Sequence, residues 1–209
     1  MIKDYLIENY GYNKPIFLNE LSIEGMSKNA LRQAIKRLNK SGFLKRYDNG
    51  IYYIPKSIGV LSTSYLDPLK VVAYKYIENE KDKYGYVTGL AFANQLGLST
   101  QMPSVIEIVS NNEATRGRIV TIGNQKVKVE KPNIEVTNEN ASLLQLLDMI
   151  SSVEKYSELP EEETYDVLKK YIKDNKFSKK QLIDASSSLT GNTSKRLIEW
   201  GIVYEFAWW

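Results

Sequence analysis

The chain has 209 residues and a mass of 24.0 kDa, is 43% hydrophobic and 25% charged, and carries a net charge of +3. That balance excludes wholesale disorder and suffices for one or two domains with substantial cores. There is no cysteine and no histidine, which removes disulfides, thiolate nucleophiles, cysteine zinc sites, Ser-His-Asp machinery and histidine-ligated metals.

Catalysis would have to rest on carboxylates, lysine or tyrosine, or on a hard cation, and no enzyme activity, cofactor or metal is expected. No apolar run approaches the roughly 20 residues that span a bilayer. The opening Met1-Ile2-Lys3-Asp4-Tyr5 has no apolar signal stretch. The protein is therefore expected to be soluble and cytoplasmic, without a membrane partner.

The charge is uneven. Residues 1–60 carry +5 and residues 61–209 carry −2, and between Met26 and Tyr47 seven basic residues stand without one acid. A basic front and a near-neutral body suggest polyanion binding at the front.

In chain order, Ile2, Leu6 and Tyr10 share one side of a first helix, which Gly11 stops. Pro15 permits a short second helix through Phe17, Leu18 and Leu21. Ser27 then caps a third helix that ends before Gly42. In it Leu31, Ala34, Ile35 and Leu38 form one apolar stripe. Lys28, Arg32, Lys36 and Lys40 recur every fourth residue on another side, with Asn29, Gln33 and Arg37 beside them. Like charges at this spacing cost a few tenths of a kcal/mol per pair. A solvated face normally mixes signs, so an acid-free one points to an anionic partner.

Phe43–Pro55 carries Asn49-Gly50 between two β-prone runs, a strong hairpin signal. Three helices and a hairpin predict a winged helix-turn-helix over residues 1–60. Its third helix would enter the major groove of double-stranded DNA, and Lys45 and Arg46 on the wing would meet phosphates. The expected DNA-binding set is Ser27, Lys28, Asn29, Arg32, Gln33, Lys36, Arg37, Lys40, Lys45 and Arg46. Winged helices also serve as protein-docking modules, and that alternative stays open.

After a link through Ser57, Gly59, Ser62 and Ser64, Asp67-Pro68 opens a helix through Tyr76 toward Lys83, with Gly85 as its end. Thr88 caps another, closed by Gly97. Strands follow at Val105–Val109, Arg118–Ile122 and Lys126–Glu130, the last two around Gly123-Asn124, with a fourth at Asn133–Thr137. Helices are expected at Leu143–Val153, Glu161–Asp174, Lys179–Leu189 and Ser194–Trp200. The fold class is α+β. The winged helix is followed by a mixed C-terminal domain over 61–209, with antiparallel strands at about 104–137 and a helical part at about 141–200.

The aromatic tail Ile202–Trp209 is either core or partner surface, core being the commoner outcome. Arg116-Gly117-Arg118 can bind an anion but is equally an ordinary turn. No nucleotide-binding or kinase motif occurs.

Two stretches carry a resemblance. These are the N-terminal unit ending in Gly50-Ile51-Tyr52-Tyr53-Ile54-Pro55-Lys56 and the segment Tyr84-Gly85-Tyr86-Val87-Thr88-Gly89-Leu90 through Gly97-Leu98-Ser99-Thr100-Gln101-Met102-Pro103. Together they resemble the AbiEi-type antitoxins of abortive-infection, type IV toxin–antitoxin systems, over about the first two-thirds of the chain. The resemblance implies a phage-defence autorepressor that binds inverted repeats in its own promoter. It also implies a C-terminal domain that counteracts a nucleotidyltransferase-like toxin, without necessarily forming a stable complex with it.

Overall fold

The computed structural model describes residues 2–58, 62–114 and 117–206. Two compact units emerge. The first comprises Met1–Tyr74 with Ile122–Gln125, the second Lys75–Thr121 with Lys126–Trp209. The architecture is α+β.

The first unit opens with α1 (Ile2–Tyr10), whose Leu6 is fully buried and which ends as Gly11 takes a φ of +67°. The short second helix expected at Phe17–Leu21 does not form. Ile16–Phe17 is instead a strand, β1, and Leu18–Glu20 is a turn whose Leu18 N–H donates to the Gly50 carbonyl. The physical reason is that two consecutive buried side chains, Ile16 and Phe17, suit an extended chain. Pro15, which has no N–H, can stand at the start of an edge strand.

Next come α2 (Lys28–Lys40), β2 (Lys45–Asp48) and β3 (Ile51–Tyr53). The three strands form an antiparallel sheet in the order β1-β3-β2. Leu6, Ile16, Leu21, Leu31, Ile35, Leu38, Leu44 and Ile54 make its core. The stretch read as a link contains a two-stranded hairpin, β4 (Ser57–Ile58) with β5 (Ser62–Thr63). Gly59 of that link lies outside the described residues.

Helix α3 (Pro68–Tyr76) stops well short of Lys83. Asn79 ends any continuation, because its Oδ1 accepts from the backbone N–H groups of Lys81 and Asp82 and so closes a local turn. The second unit then builds a four-stranded sheet in the order β6-β7-β9-β8 from β6 (Gly85–Thr88), β7 (Ile106–Ser110), β8 (Arg118–Ile122) and β9 (Gln125–Glu130). β6 pairs antiparallel with β7, but β7 pairs parallel with β9, so the sheet is mixed where antiparallel strands were expected.

The fourth strand is Gly85–Thr88, not Asn133–Thr137. The backbone of Val136 pairs instead with the Asn111 side chain, which accepts from its N–H at 2.9 Å and donates to its carbonyl at 2.8 Å. A side-chain amide thus does for that segment what a neighbouring strand would do.

Helix α4 (Gly89–Leu96) follows β6, and α5 (Ala141–Tyr156), α6 (Glu161–Asn175), α7 (Lys179–Asp184) and α8 (Gly191–Glu199) complete the unit. α5 is its axis. Leu143, Leu144, Leu146, Leu147, Met149, Ile150 and Val153 are buried, and the helix packs on α4, β6 and α8. α7 gives way after Asp184 to a single 3₁₀ turn at Ser186–Ser188, so the expected helix to Leu189 is broken. α8 starts earlier than expected because Thr190 Oγ1 accepts from the Thr193 N–H at 3.1 Å and caps it. Of the aromatic tail, Ile202 and Phe206 are buried in the core, Phe206 stacked on Phe177. Ala207, Trp208 and Trp209 lie outside the described residues. No helix among the described residues is long and apolar enough to cross a membrane.

Candidate nucleic-acid interface

α2 forms because its sequence satisfies both ends and one face. Ser27 Oγ accepts from the Ala30 N–H at 3.2 Å, and the Ser41 N–H returns to the Arg37 carbonyl. Leu31, Ile35 and Leu38 are buried, which fixes the helix's rotation. The opposite side presents Lys28, Asn29, Arg32, Gln33, Lys36, Arg37 and Lys40, all exposed.

Residues four apart on a helix drift by about 40° per step, so Lys28, Arg32, Lys36 and Lys40 sweep obliquely along about 18 Å of helix. None of the five cations on α2 forms an ion pair with a described residue. The face is therefore uncompensated and concentrates positive potential in water.

The hairpin beside it is pinned at its base. Leu44 is fully buried, its N–H donates to the Leu38 carbonyl at 3.1 Å, and its own carbonyl accepts from Asn39 Nδ2 at 3.0 Å. Lys45 opposes Tyr53 and Arg46 opposes Tyr52, with an irregularity before Asp48 opposes Ile51. Gly50 turns the chain at a φ of +74°.

Arg46 is folded back onto that turn. Its Nε donates to the Asp48 carbonyl at 3.2 Å and its Nη2 to Asn49 Oδ1 at 3.1 Å. Lys45 is half-buried, with its ammonium 5.6 Å from the centroid of the Tyr65 ring. Of the residues read as DNA contacts, then, seven lie together on α2, Ser27 is engaged in capping, Arg46 braces the turn and Lys45 stands beside an aromatic ring. Sequence patterning passed over Asn39, whose amide joins helix to hairpin, and Tyr65, which lies in no periodic run.

The second stretch, Tyr84–Pro103, has a structural account. At Gly85 a Cβ would run into the Tyr76 carbonyl, and at Gly89 into the Glu107 carboxylate. Tyr86 is buried and its hydroxyl donates to Asp148 Oδ2 at 2.7 Å. Gly97 takes the left-handed conformation that closes α4. Beyond it Glu158 accepts from the Thr100 N–H, the Thr100 hydroxyl and Gln101 Nε2 at 2.7–3.0 Å, which holds its carboxyl below its usual pKa. Among the described residues no cluster of acids could hold a metal ion. Arg116 of the Arg116-Gly117-Arg118 turn lies outside the described residues. Arg118 pairs with the buried Glu113 at 2.5 Å.

A family model of unknown function, DUF6088, matches residues 11–176. The chain belongs to the DUF6088 family. The DUF6088 match takes in the whole of α2, the β2–β3 hairpin and the Tyr84–Pro103 stretch. No curated protein matches the chain.

Proposed function

We propose that the first unit is a winged helix that binds double-stranded DNA through the exposed face of α2, with the β2–β3 hairpin as its wing. The observation that carries this is the uncompensated row Lys28, Arg32, Lys36, Arg37 and Lys40, with Asn29 and Gln33 among them. Phosphates would offset the like-charge cost of the row, and Asn, Gln and Arg are the side chains that read base edges. The antiparallel order β1-β3-β2 behind a helix and hairpin supports the winged-helix reading, with a strand and turn standing where a middle helix was expected.

On the resemblance to AbiEi-type antitoxins, the protein acts as an autorepressor at inverted repeats in its own promoter and as the antitoxin to a nucleotidyltransferase-like toxin. It works by binding, not by catalysis.

A gel shift with the DNA upstream of its own gene tests the DNA-binding role. The wild type should shift this duplex specifically and lose the shift as salt rises. Replacing Arg32 and Lys36 together with alanine should abolish the shift and leave the melting temperature unchanged. A double variant that still binds normally would remove α2 as the recognition face. Absence of any wild-type shift, with a stable complex between the protein and its neighbouring gene product, would favour the protein-docking alternative.

A further inference from the structure

Tyr65 is the most exposed large apolar side chain among the described residues, at 87%, yet it stands between Ser64 at 6% and Leu66 at 4%. Its exposure does not come from slack in the chain. The Tyr53 hydroxyl donates to the Ser64 carbonyl at 3.3 Å, and the Ser64 N–H donates to the Lys56 carbonyl at 3.0 Å. The Lys56 N–H in turn donates to Ser64 Oγ at 2.8 Å, and Ser64 Oγ also bonds Asn13 Oδ1. The backbone is thus held on both sides of a ring that is pushed into water.

The ring's neighbour is the ammonium of Lys45, 5.6 Å from its centroid. Lys45 follows Leu44, which Asn39 ties to the C-terminal turn of α2, where Arg37 and Lys40 lie. A hydrogen-bonded joint therefore carries the ammonium next to the end of the basic helix, and the phenol ring lies against that ammonium. An ammonium neutralises a phosphate, and a phenol hydroxyl donates to one without adding charge.

Resting on the DNA-binding reading above, we propose that Tyr65 and Lys45 together hold one backbone phosphate of the bound duplex, so that the interface reaches past α2 and the wing to residue 65. The two side chains then leave different signatures. Lys45→Ala removes a counterion-releasing contact and should lower the slope of log K against log salt by about 0.9. Tyr65→Phe removes one neutral donor, so it should weaken binding about three- to tenfold at fixed salt and leave the slope unchanged. Because both serve one phosphate, the double variant should lose less than the product of the single losses.

The experiment is fluorescence anisotropy of the full chain with a labelled duplex of its upstream DNA, across a salt series. Tyr65→Phe binding as tightly as the wild type, while Arg32→Ala/Lys36→Ala still abolishes binding, overturns this assignment and leaves the α2 interface standing. Strictly multiplicative losses in the double variant also overturn it, since the two groups would then act on separate sites. If the wild type binds no DNA, the α2 reading and this assignment fall together. The phenylalanine ring occupies the same exposed position, so folding is not at stake, and an unchanged melting temperature verifies it.

Discussion

Gly89 shows how one missing side chain can shape a polar site. The chain turns there from β6 into α4 with a φ of +62°, and a Cβ would lie 2.5 Å from Glu107 Oε1. That same carboxylate accepts from the Tyr156 hydroxyl at 3.1 Å and from Lys128 Nζ at 3.4 Å. Gly89→Ala should therefore destabilise by about 1–3 kcal/mol from backbone strain alone, with the clash added. In thermal unfolding, Glu107→Ala in the same chain should recover part of the loss, the clash but not the strain. Full recovery would mean that the backbone is not strained at this position.

Asp148, on α5, accepts from the Tyr86 hydroxyl. Burial pushes its carboxyl pKa up to about 6, against the pull of the Tyr86 hydrogen bond, while the Glu130 charge adds to the rise. A carboxyl whose pKa is raised on folding binds its proton more tightly in the folded state. The folded protein therefore loses stability as pH rises from about 4 to about 6, and above that carries the whole cost of an ionised, half-buried group, about 2–3 kcal/mol. Asp148→Asn keeps an acceptor for Tyr86 and removes the charge. It should raise the melting temperature at pH 7.5 and change it little at pH 4, and an equal shift at both pH values would show that charge is not the cause.

At the scale of elements, α2 was legible in full. A serine cap, an i, i+3, i+4, i+7 stripe and a glycine after the end are all local signals, and the helix runs Lys28–Lys40 as they require. The Asn49-Gly50 hairpin was legible for the same reason. The misread elements are those decided by distant partners. Ile16–Phe17 became a strand because β3 lies beside it, and Gly85–Thr88 because β7 does. Asn133–Thr137 failed to become one because Asn111, far away in sequence, satisfies Val136 first.

The candidate site divides in the same way. The α2 residues follow from helical spacing, whereas the engagement of Arg46 with its own turn and the position of Tyr65 are tertiary facts. Ser27→Ala should cost about 1 kcal/mol of stability through the lost cap. Arg46→Ala should leave the salt slope of DNA binding unchanged, because its guanidinium is folded back on the turn, with Nε on the Asp48 backbone carbonyl and Nη2 on Asn49 Oδ1; a slope reduced by about 0.9 would place Arg46 on a phosphate after all.

For the whole molecule, the modest net charge conceals the quantity that matters for binding. Residues 1–60 carry +5 and the rest −2, so phosphate contacts should come from the first unit. If Lys28, Arg32, Lys36, Arg37 and Lys40 each neutralise one phosphate, and Lys45 one more, log K should fall with log salt at a slope of about −5.4. Each single alanine substitution in the row should bring that slope toward zero by about 0.9. Asn29→Ala and Gln33→Ala carry no charge change, so they should leave the slope alone and instead narrow the gap between upstream DNA and an unrelated duplex. Equilibrium titrations of both duplexes across a salt series measure the two quantities separately. A slope near −1 for the wild type would mean that the row is only a solvated surface, and its like-charge cost would then have no partner to offset it. A steep slope with no preference between the duplexes would keep the electrostatic interface but take Asn29 and Gln33 out of the bases.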